Sequence, residues 1–256
     1  MTVVADFLLA TNLRQPHGFF TRRGGVSTGP FATLNCSLSG QDQRDNVLEN
    51  RARAARAIGV DPARLVGINQ VHSTDVTHVT EPWTPGNGPR ADAMVTDRRG
   101  IALGIVTGDC APVLFADADA GIIGAAHAGW RGAVAGVLEA TLAAMQTHGA
   151  SPGRITAAVG PCIAQASYEV GTDLRDAVLD HAPADARFFT PGARALHWQF
   201  DLPGYCAARL AAAGVGAVEV LAFDTMQDES RFYSHRRRTL AGGGLIGHQI
   251  SVIALA

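Results

Sequence analysis

A chain of 256 residues with 47% hydrophobic content can bury a large core as one α/β domain or two small ones. A net charge of −2 provides no electrostatic footprint for nucleic acid or an anionic membrane surface, and no apolar stretch is long enough to span a bilayer. All 21 basic residues are arginine, which excludes a Walker A lysine, a Schiff-base lysine and pyridoxal phosphate chemistry.

In chain order, apolar periodicity and turn residues predict a helix over 46–58, then strands over 65–71, 93–96, 101–107, 112–116 and 122–126. A helix over 132–148 follows, with Val134, Val137, Leu138, Thr141 and Met145 on one face. Next come a strand over 155–159, helices over 172–181 and 203–213, and strands over 218–222 and 250–255. Pro82, Pro85, Gly86, Gly88 and Pro89 mark 81–90 as a loop. With no repeats, low-complexity tract or long linker, residues 1–256 are expected to form a single α/β domain, a mixed β-sheet flanked by helices.

Asp6 interrupts the first apolar run and no basic cluster precedes it, so a secretory signal is not expected. Cys36, Cys110, Cys162 and Cys206 are widely spaced without a CxxC pair, which points to reduced thiols in a cytoplasmic protein.

Three apolar runs end in soft-metal ligands: His72 after Asn69-Gln70-Val71, Cys110 after Gly108-Asp109, and His127 before Ala128-Gly129-Trp130-Arg131-Gly132. Two imidazoles and one thiolate are the three protein ligands a catalytic zinc uses when its fourth position stays open. The runs 111–116 and 122–126 flank a turn-like stretch, Asp117 to Gly121, and read as an antiparallel hairpin. A turn centred between Ala118 and Asp119 sets Cys110 opposite His127, with Cβ atoms about 5 Å apart. A register slip of one residue would send one of them to the wrong face. His127 then leads through Gly129 and Gly132 toward a helix, and exposed amides at a helix N-terminus suit phosphate.

The segments Gly18-Phe19-Phe20-Thr21-Arg22-Arg23-Gly24-Gly25, Leu34-Asn35, Glu49-Asn50-Arg51, Asn69-Gln70-Val71-His72, Ala91-Asp92-Ala93, Asp109-Cys110-Ala111-Pro112, His127-Ala128-Gly129-Trp130-Arg131-Gly132, Gly160-Pro161-Cys162 and Tyr168-Glu169-Val170 resemble, in order, the YfiH or laccase-domain family. The resemblance implies an α/β/α protein, historically labelled a polyphenol oxidase and later understood as a zinc-dependent purine nucleoside phosphorylase. Its members act on adenosine, inosine and methylthioadenosine, with adenosine deaminase activity as well. It also implies zinc on His72, Cys110 and His127, and nucleoside or anion contacts at Arg22 and Asn35. Three positions depart from the family pattern: Asp224 stands where a cysteine is usual, His235 where tyrosine is, and His248 where arginine is.

For phosphorolysis a site needs cations for phosphate and a proton donor for the purine. Arg22, Arg23 and Arg131 are candidates for the first task, and Glu169, Asp109 and His235 for the second. Deamination would need the same open metal position beside a purine.

Each residue also has a plainer explanation. A lone cysteine is more often a small buried hydrophobe, a tryptophan at a strand–helix junction more often core, and Arg236-Arg237-Arg238 a solvated charge run. A multicopper oxidase is disfavoured because none of the nine histidines forms an HxH pair, although copper remains the alternative metal. A cysteine hydrolase or amidase, with Cys110 as nucleophile and His127 as base, fits the same hairpin. A non-catalytic module would enclose the metal with a fourth protein ligand. The partners expected are a purine nucleoside and phosphate; the oligomeric state is not readable.

Overall fold

Strands that are apolar on both faces must be covered twice, and the central strands of this chain, such as 111–117, 122–128 and 249–254, are buried along their whole length. In the computed structural model, which describes residues 4–255, the strands sort into three sheets. The first, in order β1-β2-β14-β6-β3, joins Phe7–Leu8 (β1), His17–Phe20 (β2), Gln249–Ala254 (β14), Ala102–Thr107 (β6) and Leu65–Val66 (β3). The second, in order β13-β9-β7-β8-β5-β4, joins Ala217–Val220 (β13), Thr156–Val159 (β9), Ala111–Asp117 (β7), Ile122–Ala128 (β8), Ala93–Thr96 (β5) and Val76–His78 (β4). A small third sheet sets Glu169–Val170 (β10), Trp198–Phe200 (β12) and Phe189–Pro191 (β11) side by side.

Alternation along the strands decides the layering. In β6, Leu103 and Ile105 pack against Leu114 and Ala116 of β7 and Ile123 and Ala125 of β8, so the two large sheets stack face to face. Ala102 of β6 and Ile250, Val252 and Ala254 of β14 look the other way, onto Ala54 and Ala55 of helix α1 (Arg44–Ala57). Val113 and Phe115 of β7 likewise look outward, onto a layer containing Val137, Leu138, Leu142 and Leu210. Those residues come from α3 (Val137–Thr147) and α5 (Leu202–Ala212). The mixed α/β class is as expected, with one difference: the expected single sheet is divided into a helix–sheet–sheet–helix stack. Periodicity reports that a strand is buried on both faces but not whether a helix or a second sheet covers each one.

Local departures have identifiable causes. The expected helix over 132–148 is two helices, α2 (Trp130–Ala135) and α3, broken at Gly136. That glycine has φ 102°, a left-handed cap geometry that a Cβ would strain. The expected strand over 65–71 is regular only at Leu65–Val66, after which Asn69 makes an isolated bridge to Arg90. Helix α4 (Thr172–His181) lies where it was expected. The arginine run lies on a short helix, α6 (His235–Leu240), started by the Ser234 side chain accepting from Arg237 N. Among the described residues no helix is long and apolar enough to cross a membrane.

The β7–β8 register corrects the hairpin expectation. Ala111 pairs with Ala128 and Pro112 with His127, so His127 lies opposite Pro112 and not Cys110. The turn comprises 118–121, one residue later than expected, because buried Asp117 belongs to the strand. Its carboxylate accepts from Ala120 N and Ser151 N, which anchors the turn, and Gly121 takes φ 64°. Moving a turn centre by one residue shifts each partner by two, and the side-chain face is preserved. Cys110 and His127 are diagonal neighbours on one face.

Candidate functional site

The site lies at one end of the stacked sheets, where the chain crosses between them. Residues 108–110 connect β6 of the first sheet to β7 of the second, and residues 67–75 connect β3 to β4 across the same gap. Cys110 sits on the first crossing and His72 on the second. His127, near the end of β8, completes the group: one ligand atom from each of the three residues lies within 4.8 Å of the others.

Asp92, immediately before β5, organises two of these residues. It is fully buried, and its Oδ2 accepts from Val71 N (3.1 Å), Ser73 N (2.6 Å) and Ser73 Oγ (3.0 Å). Two amides that flank His72 converge on one oxygen, which bends the intervening residue into the left-handed region at φ 61°. The other oxygen, Oδ1, lies 2.8 Å from His127 Nδ1. A carboxylate can only accept, so Nδ1 carries the proton and the Nε2 lone pair faces the group. Burial pushes the Asp92 carboxyl up, but the hydrogen bonds from His127, Ser73 and Val71 outweigh it and hold the group at about 2.

Burial also opposes ionisation of Cys110, yet the imidazoles of His127 and His72 bring its thiol well below the ordinary range. His127 is raised in return by Cys110 and Asp92, against the effect of its own burial. The pair therefore leans toward thiolate and imidazolium, and a cation between them would replace the proton. Tetrahedral zinc with bonds of about 2.3 and 2.0 Å holds its sulfur and nitrogen ligands about 3.5 Å apart. The Cys110 Sγ to His72 Nε2 distance is 3.9 Å, so soft donor types, spacing and tautomer all fit a metal. Gly129 makes room for it: a Cβ there would lie 2.7 Å from His72 Cδ2 and 3.1 Å from Cys110 Sγ.

These three residues line a cavity of about 470 Å³. Trp130, Tyr168, Ile163 and Leu202 give it apolar and aromatic wall, while Arg131, Arg236, His235 and His248 give it polar rim. Arg131 stacks 4.3 Å over Trp130, and Arg236 lies 5.4 Å over Tyr168. Asp109 closes one side. Its carboxylate accepts from Thr225 Oγ1 (2.7 Å), Ser234 Oγ (3.0 Å) and Arg236 N (2.6 Å), which ties the C-terminal segment to the Cys110 crossing.

The structure separates the remaining sequence candidates. Arg131 lines the cavity; Arg22 and Asn35 do not. Arg22 donates to Ala32 O and Glu229 O and packs 4.5 Å from the Tyr233 ring, beside a different, shallower cavity that Arg23 also lines. Asn35 is buried and accepts from Ser37 N and His248 N, so it positions the rim without facing the cavity. Glu169 turns away to Arg194 at 2.6 Å. Cys162 is buried in the core.

Asp224, in the usual cysteine position, accepts from Ala164 N, Ser167 Oγ and Met226 N. His248 is pushed down to about 4, by burial first and then by neighbouring cationic groups. The arginine run is internally bonded: Arg237 donates to Thr225 O, Met226 O and Phe232 O, and Arg236 to Glu169 O. Reading the residues one by one missed Asp92 as the organiser; an acidic residue opening an otherwise apolar strand was the available signal.

Residues 16–256 match the family described as multi-copper polyphenol oxidoreductase laccase. The chain is 43% identical over 234 residues to "Purine nucleoside phosphorylase ORF3" of Streptomyces griseus, covering 91% of this chain and 93% of that one. It is 42% identical over 250 residues to "Purine nucleoside phosphorylase" of Deinococcus radiodurans, covering 97% and 92%. Among solved structures, the Bacillus licheniformis hypothetical protein YfiH superposes with a TM-score of 0.87 at 29% identity, covering 94% of this chain and 92% of that one.

Proposed function

The chain belongs to the multi-copper polyphenol oxidoreductase laccase family, and from that premise we propose that it is a zinc-dependent purine nucleoside phosphorylase acting at the cavity around His72, Cys110 and His127. The observation that carries the reading is the convergence of one thiolate and two imidazoles beside an aromatic wall. The names of the relatives from Streptomyces griseus and Deinococcus radiodurans support the same activity. Adenosine, inosine and methylthioadenosine are the expected nucleosides, and adenosine deamination is a second activity of the same site. The four unpaired cysteines suit a cytoplasmic protein.

His72, Cys110 and His127 would hold the zinc, which supplies a Lewis acid with an open position when bound. Trp130 and Tyr168 offer faces for the purine, and Arg131 and Arg236 bring cationic charge to the rim. In the reaction a phosphate oxygen bonds to the anomeric carbon of ribose as the bond from that carbon to the purine nitrogen breaks. The electron pair leaves with the base, which takes up a proton. Of the three donor candidates, Glu169 is engaged with Arg194 and Asp109 with three donors; His235 lies on the rim with Nδ1 accepting from Arg238, so it is assigned the proton, which would leave from Nε2. A multicopper mechanism lacks support, since the two groups of three potential ligands among the described residues, His72, Cys110 and His127 and, separately, His78, Asp97 and His148, offer two histidines each, too few for a trinuclear cluster.

The test is elemental analysis of the purified protein followed by incubation with adenosine and phosphate. Adenine with ribose 1-phosphate is the expected product; inosine alone would make deamination the main activity, and no conversion would refute the reading. A second reading has one observation behind it: Cys110, His127 and Asp92 stand in the order of a cysteine hydrolase triad. Activity that survives chelation but not thiol alkylation would favour it.

A further inference from the structure

Asn50 and Arg51 are adjacent buried residues of α1, and the fold treats them differently. Asn50 is saturated: its Oδ1 accepts from Val26 N, and its Nδ2 lies within hydrogen-bond distance of Ser27 Oγ, Thr33 O and Asn35 O. Arg51, 6% exposed, makes one bond, from Nη1 to Cys36 O at 3.3 Å, and its Nε and Nη2 have no partner. No carboxylate among the described residues pairs with it. The adjacent Cys36 thiol, pushed up to about 12 by burial, offers no compensating charge.

A guanidinium buried without a counter-charge is costly, because it gives up water and gains little in exchange. The cost is met if the cavity beside it holds an anion. Arg51 lines a cavity of about 320 Å³ with no acidic residue in its wall. Gly67 keeps that cavity open at the guanidinium, since a Cβ there would lie 2.9 Å from Nη2. Ser37 and Ser39 put hydroxyls on the same wall, and these two residues with Gln70 and Val106 also line the cavity of the metal-ligand group.

We propose that the Arg51 cavity is an oxyanion subsite, and that its ligand is inorganic phosphate. The identity of the anion rests on the phosphorylase reading; the site itself rests on the unpartnered guanidinium. The guanidinium stands in the cavity wall with Nε and Nη2, which share one edge, unused and closed off from solvent; a tetrahedral oxyanion entering beside Ser37 and Ser39 would reach that edge in bidentate fashion. Arg51 takes the phosphate-binding task for which the sequence put forward Arg22, Arg23 and Arg131.

Equilibrium dialysis of the zinc-loaded enzyme against labelled inorganic phosphate, without nucleoside, tests the subsite directly. Arg51→Met should weaken phosphate binding ~10- to 100-fold, the worth of a charge-assisted pair, and raise KM for phosphate while leaving KM for the nucleoside nearly unchanged. It should also melt no lower than wild type in phosphate-free buffer, since it removes an unpaired buried charge. Gly67→Ala, which crowds the guanidinium, is a second variant with the same expected loss of phosphate binding.

Wild-type affinity in Arg51→Met, loss confined to Arg131→Met, or no phosphate binding by wild type would overturn the proposal. The two readings fail separately. Phosphate bound through Arg51 without ribose 1-phosphate formation leaves the subsite and refutes the phosphorylase, whereas phosphorolysis with an unchanged phosphate KM in Arg51→Met does the reverse.

Discussion

Asp92→Asn is the most informative single substitution, because it keeps the volume, removes the charge and turns one acceptor into a donor. Asp92 holds four donors: His127 Nδ1, Val71 N, Ser73 N and Ser73 Oγ. An asparagine amide has one oxygen. If that oxygen faces the three donors of the His72 loop, the amide NH2 faces Nδ1, and the His127 proton must move to Nε2 and block the lone pair aimed at Cys110. If the oxygen faces His127, three donors meet an NH2.

The lowering of the Asp92 carboxyl from 3.8 to about 2 corresponds to about 2 kcal/mol of native-state stabilisation at 1.36 kcal/mol per pH unit. Because the folded value is depressed, that stabilisation is complete above pH 4 and fades as pH falls through 2. Urea unfolding of chelator-treated protein should show Asp92→Asn about 2 kcal/mol less stable at pH 7, with the gap closing near pH 2. Zinc affinity by chelator competition should fall ~10- to 100-fold, as for other partners of metal-bound histidines. Equal stability at pH 7 together with unchanged zinc affinity would refute the argument that Asp92 builds the site.

Gly129→Ala should expel the metal without unfolding the protein, since its Cβ would press on His72 and Cys110; metal content against a preserved melting temperature is the measurement. Cys110→Ser should lower zinc affinity by more than ~100-fold, beyond what losing a ligand's hydrogen-bond partner costs, and chelation of wild type should reproduce its loss of turnover. Asp109→Asn removes a charge shared by Thr225, Ser234 and Arg236, and should cost about 2–3 kcal/mol while loosening the C-terminal segment, read as faster hydrogen exchange at α6. Leu114→Ala, fully buried between the two large sheets, should cost ~2–5 kcal/mol in denaturant unfolding and leave zinc stoichiometry intact.

How much was legible follows from which interactions are local. Strands such as Ala93–Thr96 and helix Thr172–His181 were readable because apolar spacing and turn residues act within one element. The candidate group His72, Cys110 and His127, which the fold brings together, could be singled out because potential soft ligands at the ends of apolar runs are a composition-level signal. The hairpin was right in kind but displaced, since a buried aspartate looks like a turn residue until Ser151 N and Arg154 arrive to satisfy it. Only the even size of that displacement kept Cys110 and His127 on one face.

The sequence by itself determined the mixed α/β class, the lysine-free chemistry and the three candidate soft ligands, because these depend on residue type and short-range period. Tertiary structure alone decided that two sheets stack, that Asp92 reaches both His127 and the His72 loop, that Arg22 and Asn35 lie away from the cavity, and that Arg51 lines another cavity with Nε and Nη2 unpaired. Those outcomes depend on groups tens to hundreds of positions apart along the chain. A buried polar group finds its partner through the packing of whole layers, which no local pattern encodes.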